Sequence, residues 1–90
     1  MYSILFTESY QKKAKKFLDK HPEITNQYVK ALKLLSINVD HPSLRLHKLS
    51  GRFTGLSSIS INLSYRIIIH FIIKNNQIVL IDVGSHDEVY

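Results

Sequence analysis

The feature that most constrains this chain is the apolar run Tyr65–Lys74. It is rich in β-branched residues and is followed by Asn75 and Asn76, a combination typical of a strand that ends in a hairpin. Alternate residues of a strand point to opposite faces of a sheet. One set is apolar and is predicted to face the core: Ile67, Ile69, Phe71 and Ile73. The other set is mixed: Arg66, Ile68, His70, Ile72 and Lys74. Because an unpaired cation or imidazole is costly to bury, the mixed face is interpreted as half-solvated or as a binding surface.

The register of the returning strand decides which residue lies opposite Arg66. A two-residue turn would direct Asp82 into the core, because a slip of one residue exchanges the two faces of a strand. A three-residue loop at 75–77 avoids this and is the register that we predict. It places three apolar residues on the core face: Val79, Ile81 and Val83. Asp82 then lies opposite His70, and His86 lies opposite Arg66, which gives an arginine–histidine pair at one end of the sheet.

Composition limits the kind of protein this chain can be. Its 90 residues predict a single domain, 1–90, and an apolar content of 44% suffices for a two-layer fold. The absence of cysteine excludes disulfides and thiolate metal sites, which fits a cytoplasmic protein. No stretch has the length and flanks of a signal peptide or a membrane span. A net charge of +5 favours anionic partners such as nucleic acid or an acidic protein.

The N-terminal half predicts a short strand at 2–6 and two amphipathic helices. Thr7 is a suitable N-cap for the first helix, and Pro22 separates it from the second, at about 23–36. Apolar residues recur at helical spacing in both helices. In the first they are Tyr10, Ala14, Phe17 and Leu18, and in the second they are Ile24, Tyr28, Ala31, Leu32 and Leu35. The helices are therefore predicted to form an antiparallel hairpin on the sheet. The lysines of the first helix are interpreted as a solvated face in preference to a nucleic-acid contact: Lys12, Lys13, Lys15, Lys16 and Lys20.

Two further segments, 44–49 and 56–61, alternate apolar and polar residues and are predicted to be half-exposed strands. With the central hairpin they give an α+β fold, in the order strand, helix, helix and antiparallel strands. Their polar residues are predicted to bring four side chains near Arg66: Arg45, His47, Lys48 and Arg52. Because no phosphate-binding glycine loop or metal-ligand cluster accompanies these cations, the pattern favours recognition of a polyanion.

Three segments together resemble the toxins of the RelE/YafQ/YoeB group of the RelE/ParE superfamily. They are 47–55 (HKLSGRFTG), Tyr65–Ile68 and 82–90 (DVGSHDEVY). The resemblance implies a helical hairpin on an antiparallel sheet whose first strand lies next to the last. It also implies a toxin of a bacterial type II toxin–antitoxin module that cleaves messenger RNA, usually on the ribosome, without a metal or another cofactor. Its partners are then a cognate antitoxin, mRNA and the ribosome, in the cytoplasm.

The resemblance also implies roles for individual residues. His86 matches the proton-transfer histidine of the tail motif, and Tyr90 matches the aromatic residue that closes this motif. His47 matches the histidine before the leucine–glycine element, and Arg66 matches the phosphate-binding arginine. Where YafQ-like chains carry a second histidine and an aspartate, this chain has Ser60 and Ser64, which leaves the general base open. The remaining predicted contacts to RNA phosphates are Arg45, Lys48 and Arg52.

Two other functions remain as alternatives. A ParE-like gyrase inhibitor would share Tyr65–Ile67 but would not need His86 or Tyr90. A non-catalytic RNA-binding module would be expected to carry aromatic pairs on adjacent strands, which the sequence does not suggest. A zinc site made of histidines alone is disfavoured, because no carboxylate or thiolate stands at matching spacing. The last four residues, 87–90, are expected to bury little and to contribute little stability.

Overall fold

The computed structural model describes residues 2–85 and Val89. The five strands are β1 (Ser3–Leu5), β2 (His47–Lys48), β3 (Ser57–Ser60), β4 (Tyr65–Ile72) and β5 (Gln77–Ser85). They form one sheet in the order β1-β5-β4-β3-β2. Only the β1–β5 pair is parallel, so the first strand lies next to the last, as predicted. Helices α1 (Glu8–Lys20) and α2 (Thr25–Ile37) pack on this sheet, which confirms the α+β fold. No helix among the described residues is both long and apolar enough to cross a membrane.

Capping residues and a proline in the local sequence determine where the helices begin and end. The Thr7 hydroxyl accepts a hydrogen bond from the backbone N–H of Tyr10 at 3.1 Å and caps α1. Pro22 starts a short 3₁₀ turn, Pro22–Ile24, so α2 begins at Thr25, two residues later than predicted. The predicted apolar stripes of both helices join one core with the sheet, including Tyr10, Ala14, Phe17, Tyr28, Ala31 and Leu35.

The central strand is shorter than predicted. β4 ends at Ile72, and Ile73–Asn75 forms a 3₁₀ turn before Asn76 takes a left-handed conformation with φ of 52°. Ile73, predicted to lie in the core, is therefore 79% exposed. Asparagine tolerates positive φ better than most residues, which explains the turn at this site.

The β4–β5 register also differs from the predicted one. Arg66 lies opposite Gly84 instead of His86, and His70 lies opposite Val79 instead of a carboxylate. The predicted register of the β4–β5 pair is wrong because β4 ends two residues earlier than predicted. The predicted arginine–histidine cross-strand pair is thus not formed.

A β-bulge changes which residues of β5 face the helices. Ile69 pairs with Leu80 and Ile68 pairs with Asp82, so Ile81 is an additional residue. The inward residues are Ile78, Leu80 and Val83, where Val79, Ile81 and Val83 were predicted. The extra residue exchanges the inward-facing and outward-facing positions of β5 after the bulge. For this reason Val83 is the one residue of the three that faces the core as predicted.

The face of the sheet turned away from the helices is called the open face here. It carries His47, Ser58, Ser60, Arg66, Ile68 and His70. Ile68 is 1% exposed but does not belong to the core cluster under the helices, to which its neighbours Ile67 and Ile69 belong. Val89 is likewise buried, at 4%, and is also absent from that cluster. The expectation that the tail buries little is therefore wrong for Val89.

Candidate functional site on the open face

The Arg66 side chain lies beside a buried hydroxyl on the open face. Its Nη1 donates to the Ser58 hydroxyl oxygen at 3.5 Å, longer than the usual separation of about 2.7–3.2 Å. Ser58 is 0% exposed, whereas Arg66 is half-buried. Ser58 belongs to β3 and Arg66 to β4, so the bond runs between adjacent strands. The guanidinium is oriented on one side while its other N–H donors remain able to meet a ligand.

His47 lies in the same row of the sheet as Ser58. The two residues are Cα partners in the β2–β3 pair, so their side chains share the open face. His47 is exposed, and none of the residues 2–85 or Val89 forms a hydrogen bond or ion pair with its imidazole. This row continues on β4 with Ile68, and Arg66 lies two residues farther along β4, opposite Ser60. His47 and Arg66 thus share the open face but lie in different rows of the sheet.

His70 is the second described imidazole of the open face. It is exposed, and its Nδ1 lies 3.4 Å from the backbone oxygen of Gly55. It lies four residues along β4 from Arg66, where same-face residues are separated by two strand repeats of about 6.8 Å each. The Cα atoms of His70 and Arg66 are therefore about 13.6 Å apart along β4.

The two serines that replace family residues take part in the β3–β4 turn. The Ser60 hydroxyl donates to the backbone oxygen of Asn62 at 2.6 Å, and the Ser64 N–H donates to the Asn62 side chain at 2.8 Å. Both groups stabilise the turn. Ser60 lies opposite Arg66 in the β3–β4 pair, but within the described chain neither serine forms a hydrogen bond with Arg66.

The three other predicted RNA contacts do not converge on Arg66. Arg45 is exposed and ends a 3₁₀ turn in a left-handed conformation. Lys48 pairs with Ser57, which pairs with Ile69, so Lys48 belongs to the helix-facing row. Arg52 lies in the turn Gly51–Phe53 with its guanidinium 4.8 Å from the ring centre of Phe53. Their placement around the sheet edge is compatible with contacts to separate phosphates.

His86 and Tyr90 lie outside the described residues. Their predicted roles rest on the tail motif and stay predictions. Within the described part of the chain, no group of three or more histidine, aspartate and glutamate side chains has a metal-binding arrangement.

This chain is similar to known proteins in its structure. No family model and no curated protein matches the sequence. YafQ from E. coli BL21(DE3) matches the structure with a TM-score of 0.81 and 15% identity, over 100% of this chain and 99% of YafQ. A metal-bound toxin from Helicobacter pylori matches at 0.79 and 20%, over 100% of each chain. A chain of the YoeB–YefM complex from Staphylococcus aureus matches at 0.71 and 21%, over 96% and 98%.

This chain has the fold of the YafQ and YoeB toxins. The structural match confirms the resemblance that the sequence motifs indicated. At identities of 15–21% it establishes the fold alone.

Two residues of this YafQ/YoeB-like fold were missed by reasoning from the sequence. Ser58 received no role, although the alternation of β3 could have placed it on the side of Arg66. His21 was also left without a role. It closes α1, packs 5.1 Å from Phe17 and 4.8 Å from Tyr65 between ring centres, and its Nδ1 lies 3.2 Å from the Tyr65 hydroxyl. No sequence signal identifies the contact between His21 and Tyr65, because the two residues are 44 positions apart in the chain.

Proposed function

We propose that this chain is the toxin of a bacterial type II toxin–antitoxin pair and that it cleaves messenger RNA. The observation that supports the proposal is Arg66 beside the Ser58 hydroxyl, with His47 on the same open face of a YafQ/YoeB-like fold. The planar guanidinium of arginine fits a phosphate. An imidazole can give or accept a proton near neutral pH.

The proposed reaction needs one cation and two proton transfers. A base removes the proton of an RNA 2′-hydroxyl, the 2′-oxygen attacks the adjacent phosphorus, and an acid protonates the leaving 5′-oxygen. The products are a cyclic phosphate and a free 5′-hydroxyl. Arg66 stabilises the negative charge that builds up on the phosphoryl oxygens. His47 and His86 are the two proposed proton-transfer groups, and Tyr90 stacks on a base or donates to the phosphate.

The proposed partners follow from charge and fold. Solved structures with this fold include the DinJ–YafQ complex from E. coli and the YoeB–YefM complex from S. aureus. A protein of net charge +5 favours an antitoxin with an acidic or amphipathic segment that covers the open face. We propose that the free toxin acts in the bacterial cytoplasm on mRNA at the ribosome, with Arg45, Lys48 and Arg52 contacting flanking phosphates.

The test compares Arg66→Ala and His86→Gln with the unchanged protein on ribosome-bound mRNA. Arg66→Ala is expected to slow cleavage about 100-fold or more, because one donor to the transition-state charge is lost. Lys33→Ala, an exposed change on α2, is the control and is expected to cleave normally. Thermal melting verifies folding of each variant. A substrate with 2′-deoxyribose at the cut site should resist cleavage. Intact mRNA together with inhibited gyrase would instead support the ParE-like function.

A further inference from the structure

The five lysines of α1 fall into two groups that the sequence did not separate. Lys12 and Lys15 each have an acidic neighbour one turn away, with Nζ–oxygen distances of 4.0 Å to Glu8 and 2.9 Å to Asp19. The Asp19 hydrogen bond and charge raise the pKa of Lys15. No residue of the described chain forms an ion pair with the other three, Lys13, Lys16 and Lys20.

These three lysines form one line on the helix. Their spacing of three and four residues puts them on the same face of α1, and we call them the lysine stripe. The stripe borders a shallow cavity of about 250 Å³ between α1 and β5. Phe17, His21, Asp82 and Val83 complete its lining. Three ammonium groups are thus held around one concave surface, with a single carboxylate among them.

Asp82 weakens this positive field without cancelling it. Its Oδ1 accepts a hydrogen bond from the Val83 backbone N–H at 2.8 Å, so one carboxylate oxygen is already engaged. Three lysine side chains and one carboxylate side chain line the cavity. The surface therefore favours an anion with spaced charges, such as a chain of phosphates, over a single carboxylate.

The cavity is connected to Arg66 around a free sheet edge. β1 pairs with residues 77–79 of β5, so 80–85 have no strand beside them on that side within the described chain. Gly84, the Cα partner of Arg66, belongs to this free edge, and Val83 at the cavity is its neighbour. One strand spacing, about 4.8 Å, separates Arg66 from β5, and the cavity that the lysine stripe borders is lined by residues of β5.

We propose that the lysine stripe binds phosphates of the same single RNA strand that Arg66 holds at the cut site. The strand passes from the open face over the free edge of β5 and reaches the cavity. This inference rests on the proposed function and extends it, because it assigns a second contact for the substrate on the opposite side of the sheet. Each lysine contributes by displacing counterions from the RNA.

The test measures RNA binding as a function of salt. The probe is a fully 2′-O-methylated RNA of about 16 nucleotides, which lacks the attacking hydroxyl and stays intact. Lys13→Gln, Lys16→Gln and Lys20→Gln are combined in one variant. Because each phosphate contact to a single strand contributes about 0.7 to the slope of log affinity against log salt, the variant is expected to lose about 2 from that slope.

Two controls separate the stripe from general charge. A second triple variant removes the same charge from exposed positions away from the cavity: Lys30→Gln, Lys33→Gln and Lys74→Gln. It is expected to change the slope of log affinity against log salt much less. A dinucleotide probe, whose single phosphate cannot contact Arg66 and the stripe together, should show no selective loss of slope in the stripe variant. Melting curves establish that all proteins are folded.

The outcomes distinguish this inference from the proposed function. Equal slope losses in both triple variants overturn the stripe, even if the unchanged protein cleaves mRNA. A selective loss in the stripe variant supports the stripe, even if no cleavage is detected and the proposed function fails. A selective loss that persists with the short probe overturns the path around the edge.

Discussion

The guanidinium of Arg66 donates to the hydroxyl of Ser58, a residue with no exposed surface on the neighbouring strand. A buried hydroxyl needs a hydrogen-bond partner, and here it also fixes the direction of a cation. Ser58→Ala is expected to reduce mRNA cleavage about fivefold, because the loss of one such bond corresponds to about 1 kcal/mol. Cleavage rates with saturating and limiting RNA give the measurement.

A double-mutant cycle tests whether Ser58 acts through Arg66. In an Arg66→Ala background, Ser58→Ala should have no further effect on cleavage. Ser60→Ala is the matched control, because Ser60 shares the open face but donates to Asn62. If the Ser58 and Arg66 effects simply multiply, Ser58 has no positioning role.

His47→Gln should leave the fold intact and slow cleavage about 100-fold or more, the range for loss of a proton-transfer group. Its side chain is exposed and has no polar partner in the described chain, so melting should be unchanged. His70→Gln is the control, since this imidazole occupies the same face farther along β4. Full cleavage by the His47 variant would assign both proton transfers to other groups.

Val89→Ala should destabilise the protein by about 2 kcal/mol, because two methyl groups are lost from a residue that is only 4% exposed. For a chain of this size the melting temperature should fall by roughly 10 °C. Leu63→Ala, at a largely exposed apolar residue, should change it little. An unchanged melting temperature in the Val89 variant would restore the expectation that the tail adds no stability.

The Tyr10–Tyr28 pair should make the fold sensitive to alkali. Their hydroxyl oxygens are 2.7 Å apart. Burial, followed by the neighbouring Tyr28, raises the pKa of Tyr10 well above its ordinary value, and burial also raises the pKa of Tyr28. The folded state therefore keeps protons that an unfolded tyrosine loses above about pH 10, so stability is complete below that pH and falls as the pH rises.

Melting temperatures at about pH 8 and about pH 11 measure this effect. The fall between them should be smaller for Tyr10→Phe, which has no phenol to ionise in the unfolded state. Tyr2→Phe, at a half-buried ring outside the pair, should keep the full fall. Equal falls in all three proteins would contradict a protonated buried pair.

Local sequence was sufficient for most of the elements. Thr7 and Pro22 mark helix ends through capping and a fixed φ, and the 3.6-residue period identified the buried faces of both helices. The motif resemblance supplied the strand order, including β1 beside β5. It also drew attention to Arg66 and His47, which the structure places on one face.

Only the tertiary structure decided the register, the bulge and the partners of the site residues. Ile72 and Ile73 are the same residue type and have the same strand propensity, yet β4 ends between them. Ile73 already belongs to the 3₁₀ turn that leads to Asn76, which adopts positive φ. The bulge at Ile81 interrupts the alternation of β5, which packs against α1, and the pattern of apolar and polar residues does not encode it. Ser58 contacts Arg66 and His21 contacts Tyr65 across the fold. The first contact depends on the register of two neighbouring strands, and the second joins residues 44 positions apart. Periodicity reports only which face of one segment is buried, so it specifies neither contact.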